Sequence, residues 1–318
     1  MPTHSARALE LPSDAESTLE GLSHHSYLAE VSALRQLVSA YKPAEPRFEI
    51  EDSPFGTLFV DITHRCNMAC ANCYIPNRAL PDFPAGAIYS YLARLPKRTR
   101  IRLVGAEPTL RPDLADLIRN IRAIGHLPVI LSNGLKLASP SYVNSLKSAG
   151  LRTVHLSLNG GLRDELYLAI DELACAQRKL KALDVLSAAK MNITVGMILV
   201  RDCNEWHLDE FLGFILQRSE VRDIHLRSVG QMGRHLQGQP LSLTELKNLL
   251  FAALETQGLA DELRETGSND SSVDYQLGRT RFQLTEWPEM GSMERGRLTP
   301  DGFVEPMFES AVENDGGY

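Results

Sequence analysis

The sequence predicts an α/β fold, a partial (β/α)6 TIM-like barrel with an N-terminal helical extension and a C-terminal α+β cap. From Thr57 onward, six short β-branched or apolar runs alternate with longer helix-like segments, the order of βαβ units that build a parallel sheet. After Gly230 this alternation stops. We therefore expect three parts, the helical extension and linker over 1–56, the barrel over 57–230 and the cap over 231–318.

Each element is predicted from its local pattern. The extension holds one helix over residues 26–41, where apolar residues recur near helical spacing, and a proline-containing linker follows it. The cap holds an amphipathic helix over 243–256, a polar stretch, and a hairpin around the turn Pro300-Asp301-Gly302. The predicted strands are TLFVDI from Thr57, RIRLV from Arg100, PVILS from Pro128, RTVHLSL from Arg152, NITVGMILV from Asn192 and DIHLR from Asp223.

Alternation along the strands predicts which side chains face the barrel interior. The apolar residues of each strand should face the helices, which turns the intervening polar residues inward. These are Asp61 and Thr63 on the first strand, His155, Ser157 and Asn159 on the fourth, and His225 and Arg227 on the sixth. Parallel barrels place their active sites at the carboxyl ends of the strands, where these groups should converge. For any one of them, a polar residue that merely fills a wet lumen is the alternative.

Composition excludes several function classes. The formal net charge of −7, without a cluster of Lys and Arg, gives no electrostatic reason to expect nucleic acid. The N-terminal residues lack the apolar core of a signal peptide, and no run of about 18 apolar residues could span a membrane. We expect a cytoplasmic protein whose partner is a small molecule; the pattern gives no oligomeric state.

Three of the five cysteines form the motif that carries chemistry. Cys66, Cys70 and Cys73 have the spacing Cys-x3-Cys-x2-Cys directly after the first predicted strand. Thiolates so close together suit a metal site better than disulfides. A four-iron cluster held by three thiolates keeps one iron open for a small molecule. The alternative is a zinc site, with His64 or a distant residue as fourth ligand.

This spacing closely resembles the cluster-binding loop of radical S-adenosylmethionine enzymes. The segment LVGAEPTLRPDL resembles the Gly-Gly-Glu-Pro motif of that family, so Gly105, Ala106, Glu107 and Pro108 are expected to contact the cofactor, with Ala106 in place of the second glycine. The resemblance implies that the Glu107 carboxylate faces the methionine ammonium, as a charge-assisted hydrogen bond would.

The ends of later predicted strands carry further matches to the family. The whole resemblance extends from about Thr57 to Gly230. LSNG, LSLNG and LRSVGQMGR resemble the family's segments that contact the cofactor. The resemblance implies that the following residues bind S-adenosylmethionine: Asn133, Ser157, Asn159 and Arg227. The position before the third cysteine, often aromatic in the family, holds Asn72, which makes Tyr74 the candidate for packing near the adenine.

The resemblance implies a single 4Fe-4S cluster, S-adenosylmethionine and an electron donor such as flavodoxin or ferredoxin. Electron transfer would cleave the cofactor to a 5′-deoxyadenosyl radical, which abstracts hydrogen from the substrate. The chain resembles a single-cluster member related to the MoaA/PqqE/SPASM-type branch. Met307 stands where many peptide-modifying relatives carry a cysteine, so no auxiliary cluster is expected. Without that electron acceptor, we expect a redox-neutral outcome.

Three functions stay open. The first is action on a small-molecule biosynthetic substrate, with His155 and His225 in the substrate pocket and Asp61 as a further candidate there. A peptide-modifying maturase is the second. A cluster-bearing regulator or a zinc-stabilised binding module is the third. Cys203, just after the fifth strand, is the candidate hydrogen donor, whereas Cys175 in a helical segment is expected to be a packing residue.

Overall fold

The computed structural model describes residues 24–71, 73, 75, 78–229, 240–286 and 293–307. The α-helices in these ranges are α1 (His24–Ala40), α2 (Ala85–Ala93), α3 (Leu114–Ala123), α4 (Pro140–Ser148), α5 (Asp164–Asp171), α6 (Ala176–Ala188), α7 (Leu208–Ile215) and α8 (Leu243–Glu255). The strands are β1 (Phe48–Glu49), β2 (Thr57–Thr63), β3 (Arg100–Gly105), β4 (Leu127–Ser132), β5 (Thr153–Ser157), β6 (Asn192–Leu199), β7 (Val221–Ser228), β8 (Arg264–Ser268), β9 (Ser272–Leu277), β10 (Thr280–Thr285), β11 (Arg295–Leu298) and β12 (Phe303–Pro306).

The six predicted strands are β2 to β7, and neighbours in this series pair in parallel. The fold class is confirmed. Its alternation is clear in β3, where Ile101 and Leu103 are completely buried under the helices while Arg102 between them faces the lumen. The helices α2 to α7 connect these strands, as βαβ units require.

The C-terminal strands join the same sheet at both of its sides. β10 pairs in parallel with β7, and β11 pairs in parallel with β2, so eight parallel strands surround the lumen. Local pattern did not predict these pairings, because a parallel partner far along the chain leaves no local signal. The polar stretch contributes to the antiparallel strands β8 and β9; β8 is an exposed edge strand, which shows no apolar alternation.

Both predicted terminal helices and the hairpin are present. α1 and α8 match the predicted ranges closely, and β11 and β12 form the hairpin around the predicted turn. Leu34 and Leu37 of α1 are buried in the main apolar core. Within the described ranges, no helix has the length and apolar character needed to cross a membrane.

Candidate functional site

A cavity opens at the carboxyl ends of the parallel strands, and all three motif cysteines line it. None of the three is in a disulfide. The backbone N–H of Ala71 donates to the carbonyl of Ile170 at the end of α5 (3.2 Å), which fixes the loop against the barrel. Burial raises the pKa of the Cys66 and Cys70 thiols. The guanidinium of Arg78 hydrogen-bonds the Cys73 thiol and the carbonyl of Met68.

The donor set of this loop fits a cluster. Among the residues that the structure describes, no three His, Cys, Asp or Glu side chains are arranged to share one metal ion. A four-iron cluster needs a different arrangement, because each of its three thiolates binds a separate iron. Three soft thiols that face one cavity, with the cation of Arg78 beside them, supply such ligands.

The predicted Gly-Ala-Glu-Pro segment crosses back over the end of β2. Gly105 has φ +119°, and a Cβ there would lie 2.1 Å from the carbonyl oxygen of Thr63, so only glycine fits. The N–H of Ala106 donates to that same oxygen (2.9 Å). Gly105 and Ala106 line the cavity, and Pro108 begins a short 3₁₀ helix that leads away from it.

Glu107 is completely buried and is not among the cavity-lining residues. Its Oε1 accepts hydrogen bonds from the N–H and hydroxyl of Thr109 (3.0 and 2.6 Å) and from the hydroxyl of Ser132 (2.9 Å). Its Oε2 accepts from the N–H of Asn133 (2.7 Å). The carboxylate therefore ties the β3 loop to the end of β4, and its contact with the cofactor ammonium stays a prediction, to be made through the remaining acceptor capacity of Oε2.

Three further predicted cofactor residues, Asn133, Ser157 and Asn159, line the cavity. The Nδ2 of Asn133 donates to the Oδ1 of Asn67 in the cysteine loop (2.8 Å), which joins β4 to that loop. The amide of Asn159 bridges two elements, since Nδ2 donates to Asp171 (2.9 Å) and Oδ1 accepts from the N–H of Ile198 (3.1 Å).

A buried ion pair supports these strand ends. The Nζ of Lys179 lies 2.8 Å from Oδ2 of Asp171, and each side chain is only 1% exposed. Lys179 also donates to the carbonyl of Ser157 (3.2 Å) and lies over the Tyr167 ring. Both charged residues line the cavity. The sequence reasoning missed this pair, because charged residues on helices normally face water and their spacing gave no contrary signal.

Deeper in the lumen, His155 and His225 face each other with ring centroids 6.2 Å apart. Burial first, and nearby arginines second, lower the pKa of both imidazoles well below the ordinary value, so both are neutral at pH 7. A hydrogen bond of 3.0 Å joins His225 Nε2 to the Thr285 hydroxyl. A Cβ on Gly196 would lie 2.3 Å from His155 Nε2, so the glycine makes room for that ring.

Arginines surround the two histidines. Arg102, Arg227 and Arg295 all line the cavity; Arg227 was predicted, and the other two were missed. Arg102 had a usable signal, because alternation along RIRLV turns it to the same face as the predicted polar residues. Arg295 had none, because its strand reaches β2 only through the tertiary fold.

Other predicted residues lie elsewhere. Cys203 is not among the residues that line the cavity; the tight turn after β6 packs it against the apolar cluster of Ile170, Ile198, Val200 and Val229. Cys175 is buried in an apolar cluster behind the cysteine loop. Asp61 forms an ion pair with Arg297 (3.1 Å). Tyr74 and Asn72 lie outside the described residues.

Comparisons with known proteins point in one direction. The family model described as the radical SAM superfamily matches residues 60–215. The chain is similar to the GTP 3′,8-cyclase of Lactiplantibacillus plantarum, 30% identical over 266 residues that cover 77% of this chain and 76% of that protein. It is also similar to the 7,8-dihydro-6-hydroxymethylpterin dimethyltransferase of Methanocaldococcus jannaschii, 29% identical over 185 residues, 55% of this chain and 36% of that protein. Its fold is similar to that of Streptococcus suis SuiB bound to the precursor peptide SuiA, with a TM-score of 0.63, 15% identity, and coverage of 100% of this chain and 69% of that one.

Proposed function

This chain belongs to the radical S-adenosylmethionine superfamily, and we propose that it makes a carbon radical on a small-molecule biosynthetic substrate held in the barrel lumen. It is an enzyme that uses a 4Fe-4S cluster and S-adenosylmethionine. The observation that carries the proposal is one cavity, which gathers the three motif thiols, the predicted cofactor residues and the two lumen histidines.

When bound, the cluster and S-adenosylmethionine together supply a 5′-deoxyadenosyl radical that abstracts a hydrogen atom. The protein itself binds the cluster, the cofactor and the substrate, orients them relative to one another and shields the radical from solvent. Cys66, Cys70 and Cys73 would hold the cluster, and Asn133, Ser157, Asn159 and Arg227 would hold the cofactor. Cluster reduction would need an external electron donor such as flavodoxin or ferredoxin.

The lumen supports a small substrate. The side chains of Arg102, His155, His225 and Arg295 line its lower part, and the whole cavity, which the cluster and the cofactor would share with the substrate, has a volume of about 190 Å³. A peptide could present only a short side chain to such a space. A peptide-modifying maturase is therefore the second candidate, favoured by the hairpin of β11 and β12 that resembles those enzymes.

We propose a redox-neutral outcome. The chain has five cysteines, and the two outside the motif lie in separate apolar clusters. Met307 lines the cavity, and the resemblance to peptide-modifying relatives matches this position to a cysteine that binds their auxiliary cluster. No second set of thiolates therefore offers itself as an acceptor for the electron of a substrate radical.

The test is anaerobic reconstitution followed by iron analysis and an assay for 5′-deoxyadenosine after reduction with dithionite. We expect about four irons per chain and cofactor cleavage. Cys70→Ser should lose the cluster, whereas the matched control Cys203→Ser should retain it. About eight irons in a homogeneous active preparation would contradict a single cluster. Protein that contains the cluster but forms no 5′-deoxyadenosine would favour the cluster-bearing regulator. A preparation that takes up zinc in place of iron would favour the zinc-stabilised binding module.

A further inference from the structure

Arg102 is an unusual lumen residue because it is deeply buried and forms no ion pair with a described residue; the carboxylate of Asp223 acts on it only from a distance. It projects from the middle of β3, and its Nε is buried without a hydrogen-bond partner among the described residues. Its guanidinium lies over the face of the Phe59 ring, with 5.2 Å between the guanidinium carbon and the ring centroid. A buried charge without a partner is strongly unfavourable, so retaining one needs a reason.

The surrounding charges make the lumen more positive. Burial, with Arg295 and Arg100 next, lowers the pKa of Arg102 to about 9. The guanidinium of Arg295 on β11 donates a hydrogen bond to the side-chain oxygen of Gln283 on β10 (3.0 Å). Because this amide is neutral, the bond does not offset the charge of Arg295. Asp61 is already paired with Arg297. The carboxylate of Asp223 favours the charged form of Arg102, but by less than either Arg295 or Arg100 opposes it. The described lumen thus has an excess of cations that a bound anion would neutralise.

The neighbouring groups suit an anion as well. His155 and His225 are neutral, so their rings offer N–H donors without further charge to desolvate. Arginine is the residue best shaped to bind a carboxylate or phosphate, since its planar fork donates two parallel hydrogen bonds. Phe59 and Val104 supply an apolar wall next to Arg102.

We propose that the substrate carries an anionic group, a carboxylate or a phosphate, that binds to Arg102 and Arg295 in the lower part of the lumen. This inference rests on the proposed function, which makes the lumen the substrate site. The carboxylate of the cofactor is a different occupant. Arg102 precedes Gly105 by three residues, which places it about 10 Å below the strand end where the cofactor residues lie.

The test measures anion binding to the reconstituted holoenzyme, first without S-adenosylmethionine and then at saturating S-adenosylmethionine. The probes are inorganic phosphate and succinate, each compared with chloride at equal ionic strength, by isothermal titration calorimetry and by the shift in Tm. The variant is Arg102→Met, which keeps a long apolar side chain against Phe59. The matched control is Arg119→Met, which removes an exposed arginine of α3.

We expect wild type and the control to bind at least one probe, and Arg102→Met to bind it about ten- to a hundredfold more weakly. Binding of phosphate alone identifies a phosphoryl group, and binding of succinate alone identifies a carboxylate. Without probe, Arg102→Met should melt at or above the wild-type temperature, because it removes a buried charge that forms no ion pair with a described residue. If it does not fold, Arg295→Gln carries the same test.

Three results would overturn the proposal: no binding of either probe to wild type, equal affinity in Arg102→Met, or binding that disappears once the cofactor saturates. The last would assign the site to the cofactor carboxylate. Failure of the proposed function is a separate observation, namely a wild-type holoenzyme that forms no 5′-deoxyadenosine whether or not it binds the probes.

Discussion

At the scale of single residues, Glu107 is a predicted cofactor residue that also stabilises the fold. Its carboxylate accepts four hydrogen bonds from the protein and holds the β3 loop against the end of β4. Replacing it removes acceptors from buried donors as well as the predicted partner of the cofactor ammonium, so the effects on stability and on binding have to be separated.

We predict that Glu107→Ala keeps the cluster but lowers both cofactor affinity and stability. Loss of a hydrogen bond to a charged group costs about 1.5 to 3 kcal/mol. Iron content, cofactor titration and Tm measure the three effects. Ser132→Ala is the matched control, since it removes one donor to the same carboxylate (2.9 Å) and should lower the Tm only slightly. Unchanged cofactor affinity in cluster-loaded Glu107→Ala would remove this residue from the site.

His155 gives a prediction about pH. Burial, with Arg102, Arg227 and Arg295, lowers its pKa in the folded state, while histidine in the unfolded chain titrates near 6.5. Below about pH 6.5 the unfolded state therefore binds more protons, and stability falls by up to about 1.4 kcal/mol per pH unit for each such group. Wild type should lose stability from pH 7.5 to 5.5, and His155→Gln should lose less. Parallel curves would contradict the prediction.

At the scale of elements, the Lys179–Asp171 pair joins α6 to α5 directly below the cysteine loop. Lys179 also holds the end of β5 through the carbonyl of Ser157 (3.2 Å). One buried ion pair thus connects two helices with the strand that carries Ser157, a predicted cofactor residue. We infer that the pair serves to position these elements, because a buried ion pair adds little net stability compared with apolar packing.

We predict that Lys179→Met lowers the free energy of unfolding by about 3 to 5 kcal/mol, because Asp171 then becomes a buried unpaired charge. The double variant Lys179→Met/Asp171→Asn should lose less than the single one. Urea unfolding measures both, and Lys181→Met, at an exposed position of the same helix, should change little. Additive effects in the double variant would mean that the two charges do not depend on each other.

At the scale of the whole molecule, the two terminal regions meet in one polar cluster. Glu305 of β12 has no exposed surface; it accepts from the Tyr41 hydroxyl and lies 2.9 Å from the Arg47 guanidinium, which also pairs with Asp301 (2.6 Å). The linker after α1 is thereby attached to the hairpin that pairs with β2. The boundaries near residues 56 and 230 stay predictions, and this contact crosses both.

We predict that Glu305→Ala destabilises the protein by about 2 kcal/mol, since Tyr41 loses its acceptor and Arg47 keeps only Asp301. Limited proteolysis should then cut near α1 sooner than in wild type. Glu51→Ala, which breaks the exposed pair with Arg94, is the control and should cost less than about 1 kcal/mol. An equal effect of the two substitutions would show that the buried cluster does not fasten the termini.

The sequence alone predicted the order of β2 to β7, the faces of their side chains and the cysteine loop. These follow from local properties, namely the period of two along a strand and the short covalent distance between Cys66 and Cys73. By resemblance it also predicted that Gly105, Ala106, Asn133, Ser157, Asn159 and Arg227 belong to one site, and all six line the cavity. Only the tertiary structure decided that β10 joins β7 and β11 joins β2, that Lys179 meets Asp171, and that Arg295 comes to lie near Arg102. Such contacts join residues that are far apart in the chain or lie on different elements. The local sequence pattern around each residue therefore does not predict which residue it contacts.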